Sequence, residues 1–246
     1  MNEDGDTVDR EDIERFAAHS ASWWNPSGSF RPLHRINPVH IEFIRRHLLA
    51  HFRRDPRSLR PFDGLTLLDI GCGGGLVAEP MARLGFAVTG IDAGAETIAT
   101  ARAHAEASGV AVDYRVATAE SLARAGEQFD VALALEIVEH VPDRDAFLAA
   151  LGRLVRSGGA FIGATLNRTG PAFALAIVGA EYLLGWLPRG THDWNRFVRP
   201  SEFVLGLRRG GLVATELVGL GYDLRNGRWT ETTDLSVNYM VAAARR

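Results

Sequence analysis

The fold of this chain is decided by residues 66–78, TLLDIGCGGGLVA. A short apolar run ends in an acid, breaks into four glycines and leads into a segment of helical character. This pattern predicts a strand, a tight turn and a helix N-terminus, because glycine adopts positive φ and leaves its main chain open to close approach. The first N–H groups of a helix have no partner within it, so we expect the turn to cradle a nucleotide.

Two acids near the turn distinguish between possible nucleotides. Residues 73–78 satisfy the loose dinucleotide pattern G-x-G-x-x-G/A, which alone is a weak signal. Asp69 precedes the turn, where a carboxylate attracts an ammonium group and repels phosphates, so it favours S-adenosylmethionine. The alternative is that Asp69 only ties down the glycine loop. Asp92 ends a second predicted strand about 20 residues later, where an adenosine ribose needs a hydroxyl acceptor. The loop, including Gly73, and Asp92 together indicate an adenosine cofactor.

The composition indicates one intracellular domain. A chain of 246 residues can bury one large core, and no linker or repeat divides the sequence. The formal net charge of −3 argues against nucleic acid as a partner. The single cysteine, Cys72, favours a reducing compartment. The acidic residues 1–14 are unlike a secretory signal or a transit peptide, so we expect a cytoplasmic protein.

Predicted strands and helices alternate from residue 66 onward, which is typical of the parallel α/β class. The last two β-rich segments, 213–220 and 237–243, are close enough to pair as an antiparallel hairpin at the sheet edge. We therefore expect a mostly parallel sheet with an antiparallel end.

A cluster of ionisable residues follows the predicted buried strand at 128–135. Ligands lie at the carboxyl ends of the strands in open α/β sheets, so these residues are predicted to face the site opened by the glycine turn. The i, i+3, i+4 spacing of Glu136, Glu139 and His140 places them on one side of a helical turn. They suit a general base with its orienting group, a metal site, or local packing and capping, and the sequence leaves all three open.

The region before the turn is aromatic. Trp23 and Trp24 either pack a loop onto the domain or form the wall of a ligand site. Asn37 as N-cap and Pro38 at the first helical position predict a helix that ends near residue 52. The arginines on this helix form either a solvated face or a contact with anionic lipid.

Residues 171–187 are apolar apart from Glu181 and, at 17 residues, slightly short for crossing a bilayer. They form either a buried helix or a helix that lies in the membrane interface or roofs an apolar pocket. The second interpretation is favoured by the flanking residues Arg168, Tyr182, Trp186 and Arg189.

These residues resemble a class I S-adenosylmethionine-dependent methyltransferase, and more narrowly the ubiquinone biosynthesis O-methyltransferase family. The broad resemblance depends on residues 69–75, on Asp92 and on the segment EIVEHV. The narrower one depends on WWNP-x-G-x-FRPLHRINP from Trp23, TLNR from Thr165, VGAEY from Val178, GTHD from Gly190 and VNYM from Val237. The resemblance extends from about residue 16 to the end of the chain.

The resemblance implies a Rossmann-like sheet of seven strands, mostly parallel with an antiparallel last strand, and helices on both faces. It implies O-methylation of ring hydroxyls on polyprenylated phenols or quinols, namely 2-polyprenyl-6-hydroxyphenol and 3-demethylubiquinol. Cofactor contacts map onto Arg35, Gly71, Asp92 and Leu135. A divalent cation such as Mg²⁺, required by relatives, would map onto Glu136, Glu139 and His140. Asn25 stands where an aspartate is common, which weakens any claim to a carboxylate there.

We therefore predict a disordered tail over 1–15 and a methyltransferase domain over 16–246. The domain divides into an N-terminal lid and helix (16–60), a cofactor core (61–166), an apolar insertion (167–198) and a C-terminal helix and hairpin (199–246). We expect peripheral association with the inner face of the cytoplasmic membrane and with other quinone-biosynthesis proteins. The alternatives are an O-methyltransferase for another lipophilic phenol, a nicotinamide-dependent oxidoreductase, and a non-catalytic lipid-binding protein of the same fold.

Overall fold

The structure is a computed structural model and describes residues 7–174, 193–223 and 225–246. Its strands are β1 (Thr66–Ile70), β2 (Ala87–Asp92), β3 (Asp113–Val116), β4 (Phe129–Leu135), β5 (Val155–Leu166), β6 (Leu212–Asp223), β7 (Arg228–Thr232) and β8 (Asn238–Arg245). Its helices are α1 (Arg10–Ala17), α2 (Arg31–His51), α3 (Ala78–Arg83), α4 (Ala95–Ala107), α5 (Ala119–Arg124), α6 (Arg144–Leu154), the single turn α7 (Gly170–Ala172) and α8 (Pro200–Arg209).

The strands form one sheet of order β3-β2-β1-β4-β5-β8-β6-β7. Strands β1 to β5 pair in parallel, and β8 is antiparallel to both of its neighbours. The predicted mostly parallel sheet with an antiparallel last strand is confirmed. In the described part of the chain the sheet has eight strands rather than seven, because residues 228–232 add an edge strand that pairs with the end of β6.

The C-terminal strands pair as predicted but occupy a different position. The last strand, β8, lies between β5 and β6 and not at the edge of the sheet. Its residues from Tyr239 to Ala243 are wholly buried, whereas β6 alternates between buried and more exposed positions. An apolar strand with both faces covered belongs in the sheet interior, which explains the insertion.

Helices cover both faces of the sheet, as predicted. Successive residues of a strand point to opposite faces. Leu67 of β1 packs in a core with α2, α3 and α4, whereas Leu68 packs in a second core with α5, α6 and α8. The carboxyl ends of β1, β2 and β4 lie at the same edge of the sheet, because these strands pair in parallel.

The N-terminal region differs from the prediction in two ways. A helix, α1, lies within the segment expected to be a disordered tail, so that expectation does not hold for residues 7–15. Helix α2 begins at Arg31 with Pro32 in its first turn, and Pro38 lies inside it. The Asn37 side chain donates to the Leu76 carbonyl at 2.7 Å instead of capping the helix. Among the helices in the described ranges, none combines the length and apolar character that a membrane crossing needs.

Candidate functional site

The glycine turn between β1 and α3 fits closely against the N-terminal region. Gly71, Gly73 and Gly75 have φ angles of +68°, +53° and +94°. A Cβ atom on Gly73 would lie 2.0 Å from the ring of Trp23. Position 73 therefore requires glycine for its backbone conformation and for the contact above it.

The two adjacent tryptophans pack the N-terminal segment onto this turn. Trp23 stacks on Phe30, with ring centroids 3.8 Å apart. Trp24 donates from Nε1 to the Gly74 carbonyl at 2.9 Å and stacks on His104 with centroids 3.4 Å apart. Trp24 thus packs a loop onto the domain. Trp23 does so too, and it also borders the cavity described below.

Replacing Gly73 with alanine is expected to destabilise the protein more than the same change at Gly109. Gly109 has a similar φ of +63°, but a Cβ atom there would meet no atom within 4 Å. Gly109→Ala therefore measures the left-handed backbone cost alone, about 1–2 kcal/mol. Gly73→Ala adds the displacement of Trp23. Urea denaturation compares the two variants, and equal losses would show that the Trp23 contact contributes nothing.

Asp92 ends β2 and holds the turn in place. Its Oδ2 accepts the N–H of Gly73 at 3.2 Å and its Oδ1 accepts the N–H of Gly94 at 2.8 Å. Burial raises the pKa of this carboxyl, and the two N–H donors lower it. Each carboxylate oxygen keeps a further lone pair that can accept a hydroxyl. Asp92 lies where the sequence predicts a ribose acceptor, and that role stays a prediction.

Asp69 lies within β1, behind the turn, and is 3% exposed. Burial, and then the charge of Asp92, raise its pKa to about 7, while its carboxylate accepts the backbone N–H of Ala78. Among the described residues that line the cavity, Ile70 and Gly71 are present and Asp69 is not. The geometry favours the alternative in which Asp69 ties the glycine loop to α3. The contact with an ammonium group stays a prediction.

Arg35 and Leu135 occupy different positions relative to the cavity. Leu135 ends β4 and lines the cavity. The Arg35 guanidinium donates to the Tyr222 hydroxyl and lies 5.1 Å from the centre of the Tyr222 ring. Tyr222 lines the cavity, whereas Arg35 is not among its described lining residues. Arg35 therefore supports the wall through Tyr222, and its predicted contact with the cofactor stays a prediction.

A cavity of about 820 Å³ opens at the carboxyl ends of β1, β2 and β4. Gly71, Asp92 and Leu135 border it at the strand ends, and Glu136, Glu139 and His140 border it in the following segment. The remaining wall is largely apolar and includes Phe16, Trp23, Phe30, Leu33, Ile36, Leu220, Tyr222 and Trp229. An apolar cavity of this size with a few convergent polar groups is typical of a small-molecule site.

The predicted ionisable cluster faces this cavity, but not from one helical turn. Only Val138–His140 forms a short 3-10 turn. Glu136 precedes it with a φ of +53°, and its N–H donates to the Ala164 carbonyl of β5 at 2.9 Å. A left-handed non-glycine residue is uncommon and is often found at functional sites. The prediction that the three side chains share one face of a helical turn is wrong. The backbone pairing with β5 continues through Glu136, and the turn begins only after it.

The two glutamates of the cluster are held differently. Glu139 is buried, and its Oε2 accepts the Thr165 hydroxyl at 2.7 Å. Glu136 Oε1 lies 3.6 Å from His40 Nε2, and neither atom has a hydrogen-bond partner in the described part of the chain. Burial, and then the charge of Glu139, raise the pKa of Glu136 to about 8, and burial lowers the pKa of His40 to about 4. These pKa shifts favour the neutral form of both groups, so Glu136 is poorly suited to accept a proton near pH 7.

His140 is fixed by the N-terminal helix. Its Nδ1 lies 3.1 Å from Oδ2 of Asp12, and Phe16 packs edge-on against the ring with centroids 5.5 Å apart. Burial lowers the pKa of His140, but the hydrogen bond to Asp12 and the charge of Glu139 outweigh it and raise the pKa above its usual value. A base is most effective when its pKa lies near the working pH. His140 is therefore the member of the cluster best suited to accept a substrate proton.

The arrangement of the cluster does not fit the predicted divalent cation. Within residues 7–174, 193–223 and 225–246, no group of three His, Cys, Asp or Glu side chains is placed to hold a metal ion. Glu139 accepts a hydrogen bond from Thr165, His140 is bonded to Asp12, and Glu136 is directed to His40. The mapping of a metal onto Glu136, Glu139 and His140 stays a prediction without a preformed ligand set.

Sequence reasoning missed three residues that shape the site: Asp12, His40 and Tyr222. Asp12 is separated from His140 by 128 positions, and no local pattern connects them. His40 offered a usable signal, because an ionisable residue on the apolar face of a helix is unusual. The apolar segment 171–187 is described only at its beginning, so the predicted membrane contact lies mostly outside the described residues.

Comparison with known proteins places the chain among methyltransferases. A family profile described as a methyltransferase domain matches residues 68–163, which contain the glycine turn, Asp92 and the cluster. A ubiquinone biosynthesis O-methyltransferase from Paramagnetospirillum magneticum is 57% identical over 235 residues, 96% of this chain and 94% of that protein. A protein of the same name from Chelativorans sp. is 52% identical over 237 residues, again 96% and 94% of the two chains.

Solved structures share the fold at much lower identity. The magnesium protoporphyrin IX methyltransferase of Synechocystis PCC 6803, solved with S-adenosylhomocysteine, has a TM-score of 0.64 at 17% identity and covers 96% of this chain and 94% of its own. An S-adenosylmethionine-dependent methyltransferase of Clostridium acetobutylicum has a TM-score of 0.63 at 12% identity, with 94% and 98% covered. These likenesses show the class I methyltransferase fold.

Proposed function

The chain belongs to the ubiquinone biosynthesis O-methyltransferase family, and from this premise we propose that it methylates ring hydroxyls of polyprenylated phenols and quinols. The substrates are 2-polyprenyl-6-hydroxyphenol and 3-demethylubiquinol, and the methyl donor is S-adenosylmethionine. The observation that carries the proposal is that one largely apolar cavity is bordered by Gly71, Asp92 and His140 together. This arrangement provides an adenosine cradle and a proton acceptor in the same space.

The cradle fits the methyl donor. Gly71 borders the cavity, and a Cβ atom on it would lie 2.8 Å from the Ile137 side chain. Asp92 offers carboxylate lone pairs to the ribose hydroxyls, while Leu135 presents an apolar surface to the adenine ring. When bound, S-adenosylmethionine supplies a methyl group on a positively charged sulfur. The residues of the chain do the rest.

Those residues must position the acceptor oxygen and remove its proton. Methyl transfer is an in-line displacement, so holding the acceptor oxygen opposite the methyl group supplies much of the rate. A phenol with a pKa of about 10 is mostly neutral at pH 7 and is a weak nucleophile in that form. His140 accepts the phenol proton, and the oxygen forms the new bond to the methyl carbon as the bond from that carbon to sulfur breaks, so the donor leaves as a neutral thioether. The buried Glu139 stabilises the resulting imidazolium through its charge.

Incubation of the purified chain with S-adenosylmethionine and a catechol bearing one isoprene unit tests the proposal. We expect a methylated ether, identified by mass spectrometry, and preferential use of the prenylated catechol over the unprenylated one. Equal use of both would favour the alternative of another lipophilic phenol. In cells that lack the protein, we expect lipid extracts to accumulate the demethylated quinone precursor. Absence of product from every catechol would contradict the proposal.

Calorimetry separates the rival classes. An oxidoreductase would bind NAD more tightly than S-adenosylmethionine, and a non-catalytic lipid-binding protein would bind neither. We expect S-adenosylmethionine to bind and NAD to give no detectable heat, because Asp92 and the other acids among the described lining residues outnumber the arginines there and disfavour a pyrophosphate.

We also propose that the enzyme works at the inner face of the cytoplasmic membrane, with residues 171–187 as the contact. A long isoprenoid tail carried through water exposes apolar area at roughly 25 cal/mol per Å². Docking at the surface lets the tail stay in lipid while the ring enters the cavity. Support comes from the composition of the segment, which is apolar and flanked by aromatic residues and arginines that favour the headgroup region. Contact with other quinone-biosynthesis proteins belongs to the same proposal.

Replacing Leu183 and Leu184 with aspartate is expected to abolish sedimentation with liposomes that contain anionic lipid. Two charges placed in the interface oppose burial of the segment. Leu205→Asp is a suitable control, because Leu205 is 49% exposed on α8, outside the proposed contact. Both proteins should bind S-adenosylmethionine normally. Wild-type protein that stays in the supernatant at low salt would mean that the segment does not bind membranes.

A further inference from the structure

We propose that Asp12 of helix α1 is a positioning residue that holds the His140 imidazole in its working orientation. This inference depends on the proposed function, in which His140 accepts the substrate proton. It assigns part of the active site to a segment that precedes the methyltransferase core and lies outside the glycine turn and the cluster.

The contact joins two largely buried side chains. Asp12 Oδ2 and His140 Nδ1 are 3.1 Å apart, and the two side chains are 11% and 13% exposed. A carboxylate that accepts a hydrogen bond from Nδ1 selects the tautomer of the ring and prevents its rotation. With Nδ1 engaged in this way, Nε2 becomes the nitrogen that exchanges a proton with the substrate.

Asp12 is itself held firmly. Its Oδ1 accepts Arg15 Nη1 at 2.8 Å, and its Oδ2 also accepts Arg196 Nη1 at 3.3 Å. Arg196 reaches Asp9 as well, at 2.7 Å. The carboxylate therefore has partners on both oxygens, so its position relative to His140 is determined by helix α1 and by the turn that carries Arg196.

The same helix also packs the ring face. Phe16 lies one helical turn after Asp12, so both side chains project from one side of α1. Its ring meets the His140 ring edge-on, with centroids 5.5 Å apart. It also packs against Trp23 and Phe30, which line the cavity. One face of α1 thus gives His140 a polar partner at Nδ1 and an apolar partner against the ring. Helix docking and base orientation are achieved by the same contacts.

A role in docking alone makes a different prediction from a role in positioning. Asp9→Asn is the matched control, because Asp9 lies on the same segment and pairs with the same Arg196, but its described contacts do not include His140. Asparagine also caps helices as well as aspartate does, so the N-terminus of α1 is preserved. If Asp12 only docks the helix, both asparagine variants should behave alike.

We expect Asp12→Asn to lower kcat about tenfold with little change in KM for the prenylated catechol. The affinity for S-adenosylmethionine should be unchanged, and Asp9→Asn should keep kcat within about twofold of wild type. Asp12→Glu, which retains a carboxylate, should recover part of the activity. Asp12→Asn made in a His140→Ala background should cause no further loss, because the residue that it positions is gone.

Equal kcat in the Asp12→Asn and Asp9→Asn proteins would overturn the inference, and so would an additive loss in the double variant. Normal turnover of His140→Ala would overturn both this inference and the assignment of His140 as the base. An inactive His140→Ala enzyme together with a fully active Asp12→Asn enzyme would overturn this inference alone. Circular dichroism of each variant confirms that the fold is retained before kinetics are compared.

Discussion

His140→Ala is expected to lower kcat about 100- to 10,000-fold, the range that loss of a general base causes, while the affinity for S-adenosylmethionine stays within about twofold. In the proposed function the imidazole acts on the acceptor phenol, so its removal raises the energy of the transition state without affecting the predicted adenosine contacts. Turnover of the prenylated catechol and calorimetry with S-adenosylmethionine measure the two effects separately.

His51→Ala is the control for this experiment. His51 lies at the end of α2, and its Nε2 contacts the Gly158 carbonyl at 2.9 Å in an exposed position. It should leave turnover unchanged. Near-normal turnover of His140→Ala would contradict both the base and the metal interpretation of the cluster.

Chelation separates these two interpretations. If wild-type activity survives exhaustive treatment with EDTA while His140→Ala is inactive, His140 acts as the base. If EDTA abolishes activity and Mg²⁺ restores it, a cation assembles its ligands on Glu136, Glu139 and His140 only when bound. In that case Mg²⁺ should not restore activity to the Glu136→Gln and Glu139→Gln variants.

Asp92→Ala is expected to weaken S-adenosylmethionine binding by about 1–3 kcal/mol, a loss of roughly 5- to 150-fold in affinity. The change removes the carboxylate that is predicted to accept the ribose hydroxyls. It also leaves the N–H groups of Gly73 and Gly94 without their present acceptor, which loosens the turn. Calorimetry gives the dissociation constant directly.

Asp113→Ala is the matched control, since Asp113 is exposed at the start of β3, at the end of the sheet opposite the cavity, and pairs with Arg115. It should bind S-adenosylmethionine as the wild type does. Asp92→Asn should fall between the two, because it keeps an acceptor and loses the charge. Unchanged affinity in a well-folded Asp92→Ala protein would contradict the ribose assignment.

Much of the fold could be predicted because its signals are local. The apolar runs that become β1, β2 and β4 are short and bounded by acids or glycines, and this alternation with helices permits few topologies. The edge strand β7 was missed because residues 228–232 carry no apolar alternation; they form a strand only because β6 is long enough to pair with them.

The sequence by itself determined the glycine turn and the residues at the strand ends. Gly71 and Asp92 were identifiable because a strand that ends in a glycine turn or an acid must present those groups at the sheet edge, and His140 because it follows a third buried strand closely. Only the tertiary structure decided which side chains contact one another around the site. Asp12 meets His140, His40 meets Glu136, and Trp23 covers Gly73. These contacts join positions far apart in the chain, and their strength comes from shared burial, which no local pattern of residues records.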